Sequence, residues 1–91
     1  MRRVRVRVTG RVQGVGFRFH AEELAARLGI HGWVRNCDDR TVEAEIEGPE
    51  PQLQQMLDWL AQGPPPARVL RMVTTDVATT GGEGFTILPS V

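Results

Sequence analysis

Three glycines fall within seven residues in Gly10-Arg11-Val12-Gln13-Gly14-Val15-Gly16, and Arg18 follows two positions later. Glycines let successive backbone N–H groups turn into a shared concavity, and the start of a helix adds unsatisfied donors and the positive end of a dipole. A cation in that first turn is unfavourable by about 0.3–1 kcal/mol unless an anion is held there with it. Glycine density and Arg18 together point to a bound phosphate or carboxylate. Two common phosphate loops do not fit. A Walker A loop needs GxxxxGK[ST], whereas five residues separate Gly10 from Gly16 and the chain has no lysine. A dinucleotide GxGxxG starting at Gly14 would need its third glycine where Phe19 stands.

The remaining reactive side chains are sparse. Cys37 is the only cysteine, which excludes an internal disulfide, and no CxxC or His-rich spacing offers a metal set. Arg40 lies three residues after Cys37 and no arginine lies six after it, so the Cys-x5-Arg of a thiol phosphatase is missing. The expectation is a reduced, cytoplasmic protein without metal. His20 stands on the rim of the loop without an evident partner and is read as non-essential. Asp38 and Asp39 read as turn formers, His31 as a strand residue and Trp33 as core packing. All eleven basic residues are arginine, and Asn36 is the only asparagine.

These residues need a scaffold to hold them. Val4, Val6 and Val8 alternate with Arg3, Arg5 and Arg7, a half-buried strand that ends at Thr9-Gly10. Phe17, Ala21, Leu24, Ala25 and Leu28 then form one helical stripe, stopped by Gly29. The helix therefore begins directly behind the glycine loop. "HGWVRNC" reads as a strand, "DDR" as a turn, and "TVEAEIEG" as a strand with Val42, Ala44 and Ile46 inward and Glu43, Glu45 and Glu47 outward. Pro49 to Gln62 carries Leu53, Met56, Leu57 and Leu60 at helical spacing, with Gly63 at its end. "GPPP" makes a stiff connection to a strand with Val69, Val73 and Val77 on one side, and a "TTGGEG" turn leads to a last strand with Phe85 and Ile87 on one side.

The order is βαββαβ plus a C-terminal strand, which predicts an α+β, ferredoxin-like two-layer plait: an antiparallel sheet with both helices on one face. At 91 residues the chain reads as one domain, 1–91. Strands one and three would be central neighbours, setting the arginine row 3, 5, 7 against the glutamate row 43, 45, 47 on the uncovered face. Eleven acidic residues balance the eleven arginines, so a long-range field for nucleic acid is missing. The N-terminus has no apolar signal-like run, and no 18 apolar residues occur together, so neither export nor membrane association is expected.

"GRVQGVGFR" followed by "GIHGWVRN" resembles the signature pair of the acylphosphatase family, and "GPPPARV" before the fourth strand is similar to that family as well. The resemblance implies an enzyme that hydrolyses carboxyl-phosphate anhydrides of small molecules without metal or cofactor. Carried over by position, Arg18 and the backbone amides of Gln13, Gly14, Val15, Gly16 and Phe17 would bind the phosphoryl oxygens, with the Gln13 amide mattering more than its side chain. Asn36 would orient the attacking water. The carboxylate leaving group is good, so charge stabilisation and alignment could suffice without a strong base. Cys37-Asp38-Asp39-Arg40 replaces the hairpin tip often found in relatives, which leaves open how Asn36 is supported.

Three other readings share parts of this pattern: a non-catalytic anion-binding plait, an acylphosphatase-like module of a carbamoyl-transfer protein, and an RNA-binding plait. The length favours a free-standing enzyme over the module, and the acidic third strand without an aromatic disfavours RNA. Monomer is the default oligomeric state.

Overall fold

The computed structural model describes all residues, Met1–Val91. The elements are β1 (Arg2–Arg11), α1 (Phe17–Leu28), β2 (His31–Asn36), β3 (Val42–Gly48), α2 (Glu50–Leu60), β4 (Arg68–Val77) and β5 (Phe85–Ile87). The sheet order is β4-β1-β3-β2-β5. The first four strands pair antiparallel as expected, but β5 runs parallel to β2, pairing Gly32 with Phe85 and Val34 with Ile87. The sheet is therefore mixed. The C-terminal strand comes back from the far edge along the loop of residues 78–84, long enough to reverse its direction before pairing.

The period-two reading of β1 holds where it matters. Val4, Val6 and Val8 are buried on the helix-covered side, opposite Ile46, Ala44 and Val42 of β3. Phe17, Ala21 and Ala25 of α1 and Leu53, Met56 and Leu60 of α2 close over them, with Leu24, Leu28 and Leu57 at the margin of this core. Gly29 takes a left-handed φ of 70° and ends α1. Pro49 caps α2, which stops at Leu60, two residues before the expected end at Gln62.

Three expectations are corrected. The first strand does not end at Thr9-Gly10 but continues to Arg11 through a register shift at that point. Thr9 faces Arg71 and Gly10 faces Val69, so Leu70 is an extra residue, 71% exposed. The bulge reverses the parity of β4: Val69 and Met72 pack on the core, while Val73 lies opposite Arg7 on the open face. The expectation of one side for Val69, Val73 and Val77 fails because a bulge changes inward for outward in mid-strand. Gly10 is needed for this approach, since a Cβ there would lie 2.2 Å from the Arg68 carbonyl oxygen. It belongs to the sheet and not to the loop.

The second correction concerns the glutamates. Glu43, Glu45 and Glu47 are on the uncovered face, yet all three are buried. Arginines from both neighbouring strands lie over them: Arg3 reaches Glu45 at 2.7 Å and Glu47 at 3.1 Å, Arg5 pairs with Glu45, and Arg7 and Arg35 reach Glu43 at 3.1 and 2.7 Å. The Thr80 and Gly81 amides also donate to Glu47. A one-residue slip of β1 would set valines against these carboxylates, so the ladder pins the register. Third, Trp33 is not core packing. It faces Glu45 across the sheet on this same side, with the Arg35 guanidinium 4.8 Å from its ring centroid.

Candidate active site

The loop between β1 and α1 reverses the chain in five residues. Gly14 and Gly16 have φ of 73° and 79°, and Gly16 is the N-cap of α1 with no side-chain cap. Left-handed backbone at two alternate positions is the condition for turning amides into a common hollow, and it strains any residue except glycine. The N–H groups of Gln13, Gly14, Val15 and Gly16 donate to no other group of the protein. Phe17, as the first helical residue, has no intrahelical acceptor either. No acidic residue occupies the first turn. Arg18 does, and it forms none of the chain's ion pairs. A helix start bearing a positive side chain and no internal anion is an electrostatic demand for an external one.

Phe17 ties this loop to the core. Its ring is buried and tilts against Trp59 of α2 at 5.2 Å between centroids. Burial of an aromatic ring at the first helical position fixes where the amides and Arg18 point.

Asn36 arrives from the opposite side. Alternation along β2 turns Trp33 and Arg35 to the open face and Val34 and Asn36 to the helix face, at the end of the strand nearest the loop. The Asn36 Oδ1 atom is buried and receives no hydrogen bond from the protein. A carbonyl oxygen without a donor keeps its acceptor capacity free; Gln52 Oε1, on α2 and outside this site, is the other such atom.

Gln13, Gly14, Gly16, Phe17, Arg18 and Asn36 line one concavity of about 220 Å³, together with Val12, Phe19 and Ile87. Of the residues expected in the cradle only Val15 stands apart, packed against the core. The open question of how Asn36 is supported has an answer in Gln13. Its side-chain Nε2 donates to the carbonyls of Cys37 and Thr41, both at 2.9 Å, clamping the loop to the hairpin just beyond Asn36. The Gln13 side chain thus has a structural part in the site besides its backbone amide. Asp39 closes the hairpin as a turn former, accepting from the Thr41 hydroxyl at 2.6 Å and its amide at 3.1 Å. Those bonds hold the Asp39 carboxyl below the usual carboxylate range. Arg40 completes the turn in a left-handed conformation, φ 71°. The Val91 amide donates to the Asn36 carbonyl and Leu88 to that of Val34, so the chain after β5 also braces this end of β2.

His20 is exposed, with Nδ1 2.8 Å from the Gly16 carbonyl oxygen. His31 Nδ1 instead accepts from the Gly84 amide, at the end of β2 opposite Asn36. Cys37 contributes its carbonyl to the Gln13 clamp. Val12, Phe19 and Ile87 are the lining residues that sequence reasoning missed. The signal for Phe19 was its place beside Arg18, whereas nothing local could announce Ile87, which arrives through the parallel pairing of β5.

An amide-lined hollow at a helix start, an unpaired arginine and an unsatisfied asparagine, mounted on a ferredoxin-like plait, define a phosphoryl-handling hydrolase. The acylphosphatase family model matches residues 4–87. The acylphosphatase of Thermococcus kodakarensis is 49% identical over 90 residues, covering 97% of this chain and 99% of that protein. The crystal structure of acylphosphatase from Bacillus subtilis superposes with a TM-score of 0.90 at 38% identity, covering 97% of this chain and 99% of that one. T. kodakarensis HypF, a longer chain of which 12% is covered, matches with a TM-score of 0.79 at 30% identity. The chain belongs to the acylphosphatase family, and it is an enzyme that hydrolyses the carboxyl–phosphate bond of acyl phosphates.

Proposed function

We propose that the phosphoryl group of the substrate sits against the amides of Gln13 to Phe17 and the Arg18 guanidinium, while the Asn36 side-chain oxygen accepts a hydrogen bond from the attacking water. The observation that supports this division of labour is that Asn36, whose side-chain oxygen takes no hydrogen bond from the protein, lines the same concavity as Arg18 and the residues of the free amides. Preorganised donors stabilise charge as it spreads over the equatorial phosphoryl oxygens, and they need no reorganisation at the moment of reaction. Asn36 adds alignment, converting a solvent water into an oriented nucleophile. The carboxylate departs without protonation, and the water's proton passes to the phosphate.

This mechanism uses no metal ion and no enzyme base. Acetyl phosphate hydrolysis is expected to proceed unchanged in EDTA, with kcat flat across neutral pH. A kcat that titrates near pH 7 with an enzyme group would overturn the base-free mechanism.

The same reading takes the protein as a cytoplasmic monomer acting on small molecules, without nucleic-acid or membrane partners. No helix is long and apolar enough to cross a membrane. The open sheet face, where a plait would stack bases, is filled by the arginine–glutamate ladder, and Trp33 there is covered by Arg35.

A further inference from the structure

The lining of the concavity combines two chemistries. Gln13, Gly14, Gly16, Arg18 and Asn36 are its polar part. Of its four apolar residues Val12 and Phe17 are buried, which leaves Phe19 and Ile87 as the accessible apolar ones. Phe19 is 62% exposed and is the one aromatic ring among the chain's exposed large apolar residues. It is also held in place. The ring meets His20 edge-on, with centroids 5.9 Å apart and planes at 89°, and His20 Nδ1 is anchored on the Gly16 carbonyl at 2.8 Å. An exposed ring on the second residue after the helix's first could have turned to solvent or been polar. Here its edge contact is with His20, which is itself held by the carbonyl of the N-cap residue Gly16.

We infer that Phe19, together with Ile87, is the subsite for the acyl group, and that it selects substrates whose acyl substituent is apolar and flat, an aromatic acyl phosphate above all. The inference rests on the placement of the phosphoryl group proposed above. An acyl phosphate is itself two-sided, an anionic head joined to a carbonyl and its substituent. With the head against the amides and Arg18, the substituent has one apolar surface of the same hollow left to cover. Aromatic pairs gain from offset or edge contacts beyond the area they bury, and a ring already fixed loses little freedom when a second one covers it. A methyl substituent is too small to use that surface. The contact exists equally in the bound substrate and in the transition state, so it acts on KM and leaves kcat largely alone.

The test compares benzoyl phosphate with acetyl phosphate in the wild type and in Phe19→Ala, Phe19→Ser and Phe19→Trp. The quantity read is the ratio of kcat/KM for benzoyl over acetyl phosphate, relative to the wild-type ratio. This double ratio cancels the intrinsic reactivity of each anhydride and any loss common to both. Phe19→Ala and Phe19→Ser are expected to lower it about fivefold to tenfold through the KM for benzoyl phosphate, with Phe19→Trp holding it within twofold of wild type. Inhibition by inorganic phosphate, which has no acyl group, is expected to move less than twofold in all three. A double ratio unchanged in Phe19→Ala, or equal losses on both substrates with weakened phosphate inhibition, would overturn the acyl subsite while leaving the phosphoryl site intact. A wild-type protein that hydrolyses neither substrate would instead overturn the reading of the site on which this subsite depends.

Discussion

Arginines on the open face of the sheet and the arginine at the start of α1 live under opposite rules. Arg3, Arg5, Arg7 and Arg35 each meet a glutamate of β3, and Glu47 also takes two backbone amides. Arg18 meets no carboxylate, and beside it stand free amides and an unsatisfied Asn36 oxygen. Where charges are mutually satisfied they specify strand register and have little left to offer a ligand. Where polar groups converge without satisfying one another, the partner we propose is the substrate. Charge count alone does not separate the two regions; pairing does.

The sharpest way to break this contrast is to remove one arginine from each region. Arg18→Ala is expected to lower kcat/KM for acetyl phosphate about a thousandfold or more and to weaken inhibition by inorganic phosphate, since one preorganised donor alone is worth about 10²–10³ and a charge leaves with it. Arg5→Ala should stay within twofold in the same assay. Comparable losses in both variants would end the distinction. Next in size, Asn36→Ala should lose about a hundredfold in kcat while inorganic phosphate still inhibits at close to the wild-type concentration. Near-normal turnover by Asn36→Ala would show that its orphaned oxygen is not the water's acceptor.

The paired region should respond in stability instead. Removing one partner of a buried ion pair strands the other, so Glu45→Ala is expected to lower Tm by on the order of 10 °C, read by circular dichroism, with turnover per folded molecule unchanged. The same pairs set an acid limit. Burial pushes the Glu45 carboxyl upward, but hydrogen bonds from Arg3 and Arg5 outweigh it and leave it below the usual carboxylate range. The Thr80 amide, opposed by burial and aided by Arg3, does the same for Glu47. A carboxylate depressed in the folded state contributes its full stabilisation above its unfolded value, about 4.3, and loses it as pH falls through the lower folded value. Denaturant midpoints should therefore be level from pH 7 to about 5 and fall below about 4, with a shallower fall in Glu47→Gln. The smallest effect tests the bulge: Val73→Thr on the open face should change stability by no more than about 0.5 kcal/mol, whereas a core valine at that position would cost more.

Most of the frame was legible because hydrophobic period is local. Alternation in β1 and β3 and the stripes of α1 and α2 each follow from burying one side of a short element, and their lengths left few ways to stack. The glycine loop and Arg18 were legible for a similar reason, since an uncompensated cation at a helix start is a local electrostatic fact. Val73 misled because one bulge, forced by the approach of Gly10 to Arg68, reverses inward and outward for the rest of β4. Trp33 misled because its size suggests a core, while its parity with Arg35 sends it to the ion-pair face.

By itself, then, the sequence determined the elements, the sheet's central pairing, the anion-seeking loop and, through family resemblance, the chemistry. Tertiary structure decided what faces what: that β5 returns parallel and brings Ile87 under the site, that Gln13 clamps the loop to the hairpin, and that Asn36 lines the hollow holding Arg18. The physical reason is separation along the chain. Capping, turning and alternation act over a few residues, but Arg18 and Asn36 acquire a common purpose only when α1 and β2 are packed against one core.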